Sequence, residues 1–350
     1  MRLLAGGLPS KRNSHKERGL SMNIRIRLLL DLMRMIPRTP YKLRKLRAIL
    51  GHILCGGTIS RRLFQSQCPY PLHAVLLATT RCNKKCPDCF YTRLVNKPNV
   101  KTELTLELVK EALDTKLFQS VCRAALVGGE PLLNTELLVM ISFLKGRGVL
   151  TTITTNGLLL SAELLQSLRS AGLDWLNVSI YDDNHSRIAE AFNAAKAGAF
   201  PFERMALVYH SGSIDGYREA YRFASNAKAP NLIFNHLYIP GDARTDSERD
   251  AFANEYDALC EAIRAEGRLR LYAHPAYRST HGTTPRCGQA MSLVSLAPDR
   301  TLGPCCHLPP GPAFGTLEEP SPVLRFKRNV FEQTCPSACE RCYFLHGAVY

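Results

Sequence analysis

Acidic residues are scarce at the start of this sequence: over the first 66 positions only Glu17 and Asp31 stand against fifteen Lys and Arg. That segment carries +13 of the chain's net +15, so the remaining residues are almost neutral. A near-neutral body without interleaved aromatic and basic residues argues against a nucleic-acid surface spread over the fold. Long apolar runs are also missing, and none reaches the length of a membrane span. No cleavable signal sequence stands ahead of the cysteines, because the early stretch IRIRLLLDLMRMI is interrupted by Arg27, Asp31 and Arg34. Internal repeats and low-complexity tracts are absent. What the chain does have is cysteine, thirteen in 350 residues. With no export signal the thiols are expected to be reduced and cytoplasmic, which favours metal ligation over a disulfide framework.

Residues 1–66 read as a basic N-terminal arm. Within it YKLRKLRAILGHIL, residues 41–54, places Leu43, Leu46, Ile49, Leu50 and Ile53 on one helical face beside Lys42, Arg44, Lys45 and Arg47. Such a helix docks its apolar face on its own domain, or makes a peripheral contact with an anionic membrane or an acidic peptide. Residues 1–20 are polar and aperiodic and are expected to be disordered, with Met22 an alternative start.

Residues 67–279 alternate short β-branched or apolar runs with helical periodicity, the pattern of a parallel α/β domain. Strands are expected over His73 to Thr79, Ala124 to Val127, Leu150 to Thr154, Trp175 to Ile180, Arg204 to Tyr209 and Leu232 to Tyr238. Helices are expected near 104–118, 134–146, 161–171, 184–197, 215–227 and 247–265. Six βα units in succession suggest an open or partial (β/α)6 barrel, whose chemistry gathers at the C-terminal ends of its strands. Beyond residue 280 the texture turns to Pro, Gly and Cys with few apolar anchors, so residues 280–350 are expected to form a small metal-organised subdomain.

Directly after the first strand comes TRCNKKCPDCFY, with Cys82, Cys86 and Cys89 inside eight positions. Structural zinc is normally held by four ligands, so three is an incomplete set. A centre held by three thiolates keeps a coordination position for a substrate or cofactor. The next strand ends are marked as well: Gly128-Gly129-Glu130-Pro131 after the second, Thr154-Thr155-Asn156-Gly157 after the third, and Ser179 at the end of the fourth. These segments, in this order, resemble the radical S-adenosylmethionine (SAM) enzymes over residues 73–346.

The resemblance implies a 4Fe-4S cluster on Cys82, Cys86 and Cys89 whose fourth iron binds SAM. It also implies SAM contacts at Gly128, Gly129, Glu130, Thr155, Asn156 and Ser179. Reductive cleavage of SAM would give a 5'-deoxyadenosyl radical that abstracts hydrogen from a substrate, with flavodoxin or ferredoxin as electron donor. Asp88 stands where relatives usually carry an aromatic residue, with Phe90 and Tyr91 just after. GSIDGYRE, residues 212–219, spells the family's adenine pattern but follows the fifth strand, where Ser213 or Asp215 reads better as a helix N-cap.

The C-terminal segment resembles the family's SPASM and twitch extensions, which hold auxiliary clusters. The ligands this implies are Cys287, Cys305, Cys339 and Cys342, with Cys306 and Cys335 as alternates, giving two 4Fe-4S clusters in all. Cys305 closes a hairpin with Arg300 where relatives often have Gly. A structural zinc on the same four residues is the competing reading. Cys55, Cys68, Cys122 and Cys260 are isolated and read as small buried groups or surface thiols. His210, His236 and Tyr238 lie near strand ends and take no role. Relatives with such extensions modify peptides, proteins and small polar metabolites. A peptide or protein substrate is expected here, a small-metabolite dehydrogenase, decarboxylase or epimerase is the alternative, and a zinc-stabilised nucleic-acid-binding module is the contrasting class. The enzyme is expected to be of oxidoreductase type. The chain before Cys82 leaves little room for a separate leader-binding domain.

Overall fold

The stretch HAVLLAT is buried along six of its seven residues, as a strand covered on both sides must be, and it forms the centre from which the sheet grows. The structure, a computed structural model, describes residues 71–86, 89, 91, 103–236, 244–274, 276, 292–305 and 308–331. The basic arm with its 41–54 stretch, Cys55, Cys68, Asp88, Phe90, Tyr238, Cys287, Cys306, Cys335, Cys339 and Cys342 lie outside the described residues.

In chain order the elements are β1 (His73–Thr79), α1 (Leu106–Asp114), β2 (Arg123–Gly128), α2 (Leu137–Gly146), β3 (Leu150–Thr155), α3 (Ala162–Ala171), β4 (Trp175–Ser179), α4 (His185–Lys196), β5 (Met205–Ser211) and α5 (Ile214–Asn226). They continue with β6 (Asn231–His236), α6 (Asp246–Glu266), β7 (Arg270–Ala273), β8 (Leu293–Leu296), β9 (Leu302–Gly303) and α7 (Ser321–Phe331). Four of the helices start on side-chain caps: Thr105, Ser161 and Ser213 each accept a backbone N–H three residues on, and Thr245 and Glu248 close a capping box before α6. Ser213 therefore caps α5, as the sequence suggested for the segment that imitates the adenine pattern. Among the described residues no helix is long and apolar enough to cross a membrane.

Among the described residues one sheet of nine strands runs in the order β7-β6-β5-β4-β3-β2-β1-β8-β9, and β1 to β8 all run parallel to one another. Alternate strand residues divide between two faces. Leu76, Leu126, Ile153, Leu176, Leu207, Leu232 and Val294 join the helices in one continuous core. Val75, Leu77 and Leu293 belong instead to the opposite face, which lines the inside of an open, partial barrel.

Two features exceed the six-unit expectation. β7 adds a seventh parallel strand beside β6. At the other edge β8 pairs in parallel with β1, from His73 opposite Leu293 to Leu76 opposite Leu296, and turns back antiparallel through β9. The hairpin before Cys305 thus continues the barrel's own sheet. Its turn is made by Asp299 and Arg300, the latter at φ 73°, a left-handed conformation that a side chain resists. Arg300 is fixed there by Glu318 and by Glu111 of α1, so the helix layer and the hairpin are tied through one guanidinium.

Candidate active site

The loop leaving β1 carries the three cysteines, and side chains anchor its start before the first thiol. Thr79 Oγ1 accepts the Arg81 amide and donates to Glu103 Oε1, 3.0 Å in each case. Arg81 Nε reaches the same carboxylate oxygen at 2.6 Å, and its Nη2 donates to the Leu133 carbonyl at 2.7 Å. Asn134 donates from one amide nitrogen to the Ala78 and Leu104 carbonyls, closing the layer beneath.

Further along, the Cys82 sulfur accepts the Lys84 amide at 3.4 Å, and the Cys89 amide turns back to the Cys86 carbonyl at 3.3 Å. The Lys84 ammonium lies 4.5 Å from the Tyr181 ring centre and grips both oxygens of Asp183 at 2.5 and 2.6 Å. The cysteine loop is thereby strapped to the segment following β4. Burial, together with the neighbouring Cys86, pushes the Tyr181 hydroxyl pKa up.

All three thiols are half-buried. Burial raises the Cys82 and Cys89 pKa values above the ordinary thiol value; for Cys82 the charges of Glu130, Cys86 and Cys89 add to the rise, and for Cys89 that of Cys86. They do not converge on one point: among the described residues no three His, Cys, Asp or Glu side chains are gathered closely enough to hold a single metal ion. A cubane takes its thiolates on separate corners, and sulfurs spread along a loop suit it.

Against this loop the GGEP turn packs backbone to backbone. The Gly129 and Glu130 amides donate to the Thr79 and Arg81 carbonyls, both at 2.8 Å. A Cβ at Gly129 would stand 2.0 Å from the Arg81 oxygen, and one at Gly128, where φ is +126°, 2.5 Å from that of Thr79. The crowding that demands glycine therefore comes from the cysteine loop itself.

Glu130 has no solvent exposure. Its carboxylate accepts the Thr155 hydroxyl at 2.7 Å, the Asn156 amide at 2.8 Å and the Leu132 amide at 3.1 Å. Desolvation nevertheless raises its pKa, which these three donors only moderate. The residue that the resemblance assigns to the SAM amino group is thus also the brace joining the loops after β2 and β3.

Asn156 is engaged at both ends of its side chain, donating to Asn83 Oδ1 at 2.7 Å and accepting the Leu158 amide at 3.0 Å. Asn184 completes the frame. Its Nδ2 donates to the Asn156 and Ser179 carbonyls, both at 2.7 Å, and its Oδ1 accepts the Tyr181 amide.

The structure therefore gathers Cys82, Cys86 and Cys89 with Gly128, Gly129, Glu130, Thr155, Asn156 and Ser179 at the C-terminal ends of β1 to β4. Cys305, half-buried, lies just past β9, and the five other predicted C-terminal ligands and alternates fall outside the described residues. Cys122 and Cys260 are buried, as expected of isolated cysteines. Lys84, Tyr181, Asp183, Asn134 and Asn184 were not predicted. The only signal for them in the sequence is a cluster of polar residues after each strand, which reads as turns.

A parallel α/β barrel with a three-cysteine loop at its functional end defines a class of protein. The model of the Radical SAM superfamily matches residues 76–251, half of the chain, and the chain belongs to that superfamily. The PqqA peptide cyclase of Gluconobacter oxydans is 23% identical over 312 residues, covering 78% of this chain and 82% of that protein. Among solved structures, Streptococcus suis SuiB bound to S-adenosylmethionine superposes with a TM-score of 0.56 at 14% identity, over 80% of this chain and 72% of SuiB. SuiB bound to its precursor peptide SuiA gives 0.54 at 13% identity, over 88% and 76%. These likenesses establish the fold.

Family membership sets aside the nucleic-acid-binding alternative and implies a 4Fe-4S cluster and SAM as cofactors. The residues present fit them: three half-buried thiols share one loop, while the other described cysteines, Cys122, Cys260 and Cys305, are distant from it in sequence.

Proposed function

We propose that Cys82, Cys86 and Cys89 hold the 4Fe-4S cluster, and that the chain is a SAM-dependent enzyme of oxidoreductase type acting on a peptide or protein. The observation that carries this is the convergence on the cysteine loop of three successive strand ends, through Gly129, Glu130, Asn156 and Asp183. When bound, the cluster and SAM supply hydrogen-atom abstraction. The chain's own residues position them. Gly128 and Gly129 keep the loop against β2. Glu130, Thr155 and Asn156 form a rigid polar wall for the methionyl end, and Ser179 continues that wall on β4. Lys84 and Asp183 fix the loop's far side.

Cys287, Cys305, Cys339 and Cys342, with Cys306 and Cys335 as alternates, are proposed to hold an auxiliary 4Fe-4S cluster in residues 280–350. The β1–β8 pairing supports this by joining to the barrel's sheet the hairpin that leads into Cys305. With four protein ligands that cluster has no free position for SAM, leaving electron transfer or substrate positioning as its work. Flavodoxin or ferredoxin is the proposed electron donor, and the cytoplasm the proposed location, with the basic arm touching an acidic peptide or membrane surface.

A peptide substrate is favoured because the PqqA relative is named a peptide cyclase and SuiB was crystallised with a precursor peptide. The test is anaerobic incubation of the reconstituted enzyme with SAM, reductant and short peptides encoded beside its gene, followed by intact-mass measurement. A peptide that loses hydrogen mass only when SAM is present is expected. Unchanged peptides together with a modified small metabolite would contradict the peptide reading.

A further inference from the structure

The inward faces of β5 and β6 carry a pair that nothing above uses. His210 and Asn235 stand directly opposite each other in the parallel ladder. Both alternate with residues of the helix-side core, Leu207 on β5 and Leu232 and Phe234 on β6, so they point into the barrel. Asn235 Nδ2 donates to His210 Nε2 at 3.1 Å. With Nε2 accepting, the ring proton of the neutral imidazole sits on Nδ1. Among the described residues neither His210 Nδ1 nor Asn235 Oδ1 has a hydrogen-bond partner. The pair therefore presents one free donor and one free acceptor side by side.

Position gives this pair access to the chemistry. Val208 is the ladder partner of Ser179, and His210 is the next inward residue along the same strand. At a strand spacing of about 4.8 Å and a dipeptide repeat of roughly 7 Å, the His210 backbone lies within about 10 Å of that of Ser179. Among the described residues the inward row is polar but uncharged: from β3 to β6 no inward strand position carries a charged side chain, and Thr154, Asn177 and Ser179 continue the neutral row. A charged head group entering here would lose its hydration without meeting an opposite charge. A peptide unit would not, since it brings one C=O and one N–H, the complement of the free donor and acceptor.

We infer that His210 and Asn235 form a reader for a backbone or side-chain amide of the substrate, Nδ1–H donating to its carbonyl and Oδ1 accepting its N–H. This rests on the peptide reading above and sharpens it, because it states which part of the peptide the barrel recognises.

The test needs neither SAM cleavage nor the native substrate. The reconstituted full-length protein is treated with diethyl pyrocarbonate, and carbethoxylation of His210 and of His185, a control on α4, is followed by peptide mass spectrometry. N-acetylalanine N'-methylamide is the probe, with acetate and methylammonium at equal concentration as charged comparisons. The amide is expected to slow His210 modification about threefold or more while leaving His185 unchanged, and the charged compounds to have no effect. In Asn235→Asp, which keeps the shape but loses the donor to Nε2, the protection is expected to vanish. No slowing by the amide, or equal slowing by either charged compound, would overturn the assignment using wild-type protein alone. Because the peptide-mass experiment reads turnover and this one reads occupancy, either can fail without the other.

Discussion

A methyl group at Gly129 would lie 2.0 Å from the Arg81 carbonyl oxygen and 2.6 Å from its carbon, and both belong to backbone that cannot swing aside. Gly129→Ala is therefore expected to push the cysteine loop off β2, destabilising the fold by about 1–3 kcal/mol. Iron bound after reconstitution should fall with it, as read by denaturant unfolding and metal analysis. Wild-type stability and iron content would show that the loop accommodates the carbon. Sequence alone marks this position as a turn, but the reason for glycine is a contact with a segment some fifty residues earlier, which no local pattern encodes. Asn184 and Asn134 were opaque for the same reason. An asparagine after a strand reads as a turn residue, and only the folded chain reveals amides that bond carbonyls from two other segments.

Among the elements, β1 to β6 were legible because each is a short apolar or β-branched run set between helical patterns, and parallel strands buried on both faces need such runs. β7 escaped because RLYA is four residues long and exposes half of them. The attachment of β8 to β1 could not be read, since the paired strands are separated by more than two hundred residues of chain. The hairpin that follows was legible, although Arg300 occupies a place suited to glycine. At φ 73° its backbone is strained by about 1–2 kcal/mol. Its largely exposed ion pairs with Glu111 and Glu318 return about 0–1 kcal/mol each. Arg300→Gly is thus expected to stay within about 1 kcal/mol of wild type, while Arg300→Ala, which keeps the strain and loses the pairs, falls about 1 kcal/mol below Arg300→Gly. Thermal unfolding of the two variants checks the order. An alanine variant as stable as the glycine one would remove strain from the explanation.

At the scale of the whole molecule, the proposed function gives the chain two 4Fe-4S centres, one on the loop after β1 with a position open for SAM and one on C-terminal cysteines that is fully ligated. Iron and acid-labile sulfide should therefore fit two 4Fe-4S clusters in the wild type and one in the variant combining Cys82→Ala, Cys86→Ala and Cys89→Ala. Zinc in place of iron in that variant would leave the first centre intact and refute the second. The superfamily was legible from four short segments because the residues that the resemblance assigns to a cofactor stand in order at successive strand ends. The substrate was not legible, since the contacts proposed for it are single side chains on inward faces, His210 and Asn235. The measurement that bears most directly on the central claim is release of 5'-deoxyadenosine from SAM by the anaerobically reconstituted chain under a strong reductant. Release by the wild type and none by the triple cysteine variant, with helix content unchanged by circular dichroism, is the expected result. Undiminished release by that variant would contradict the assignment of Cys82, Cys86 and Cys89.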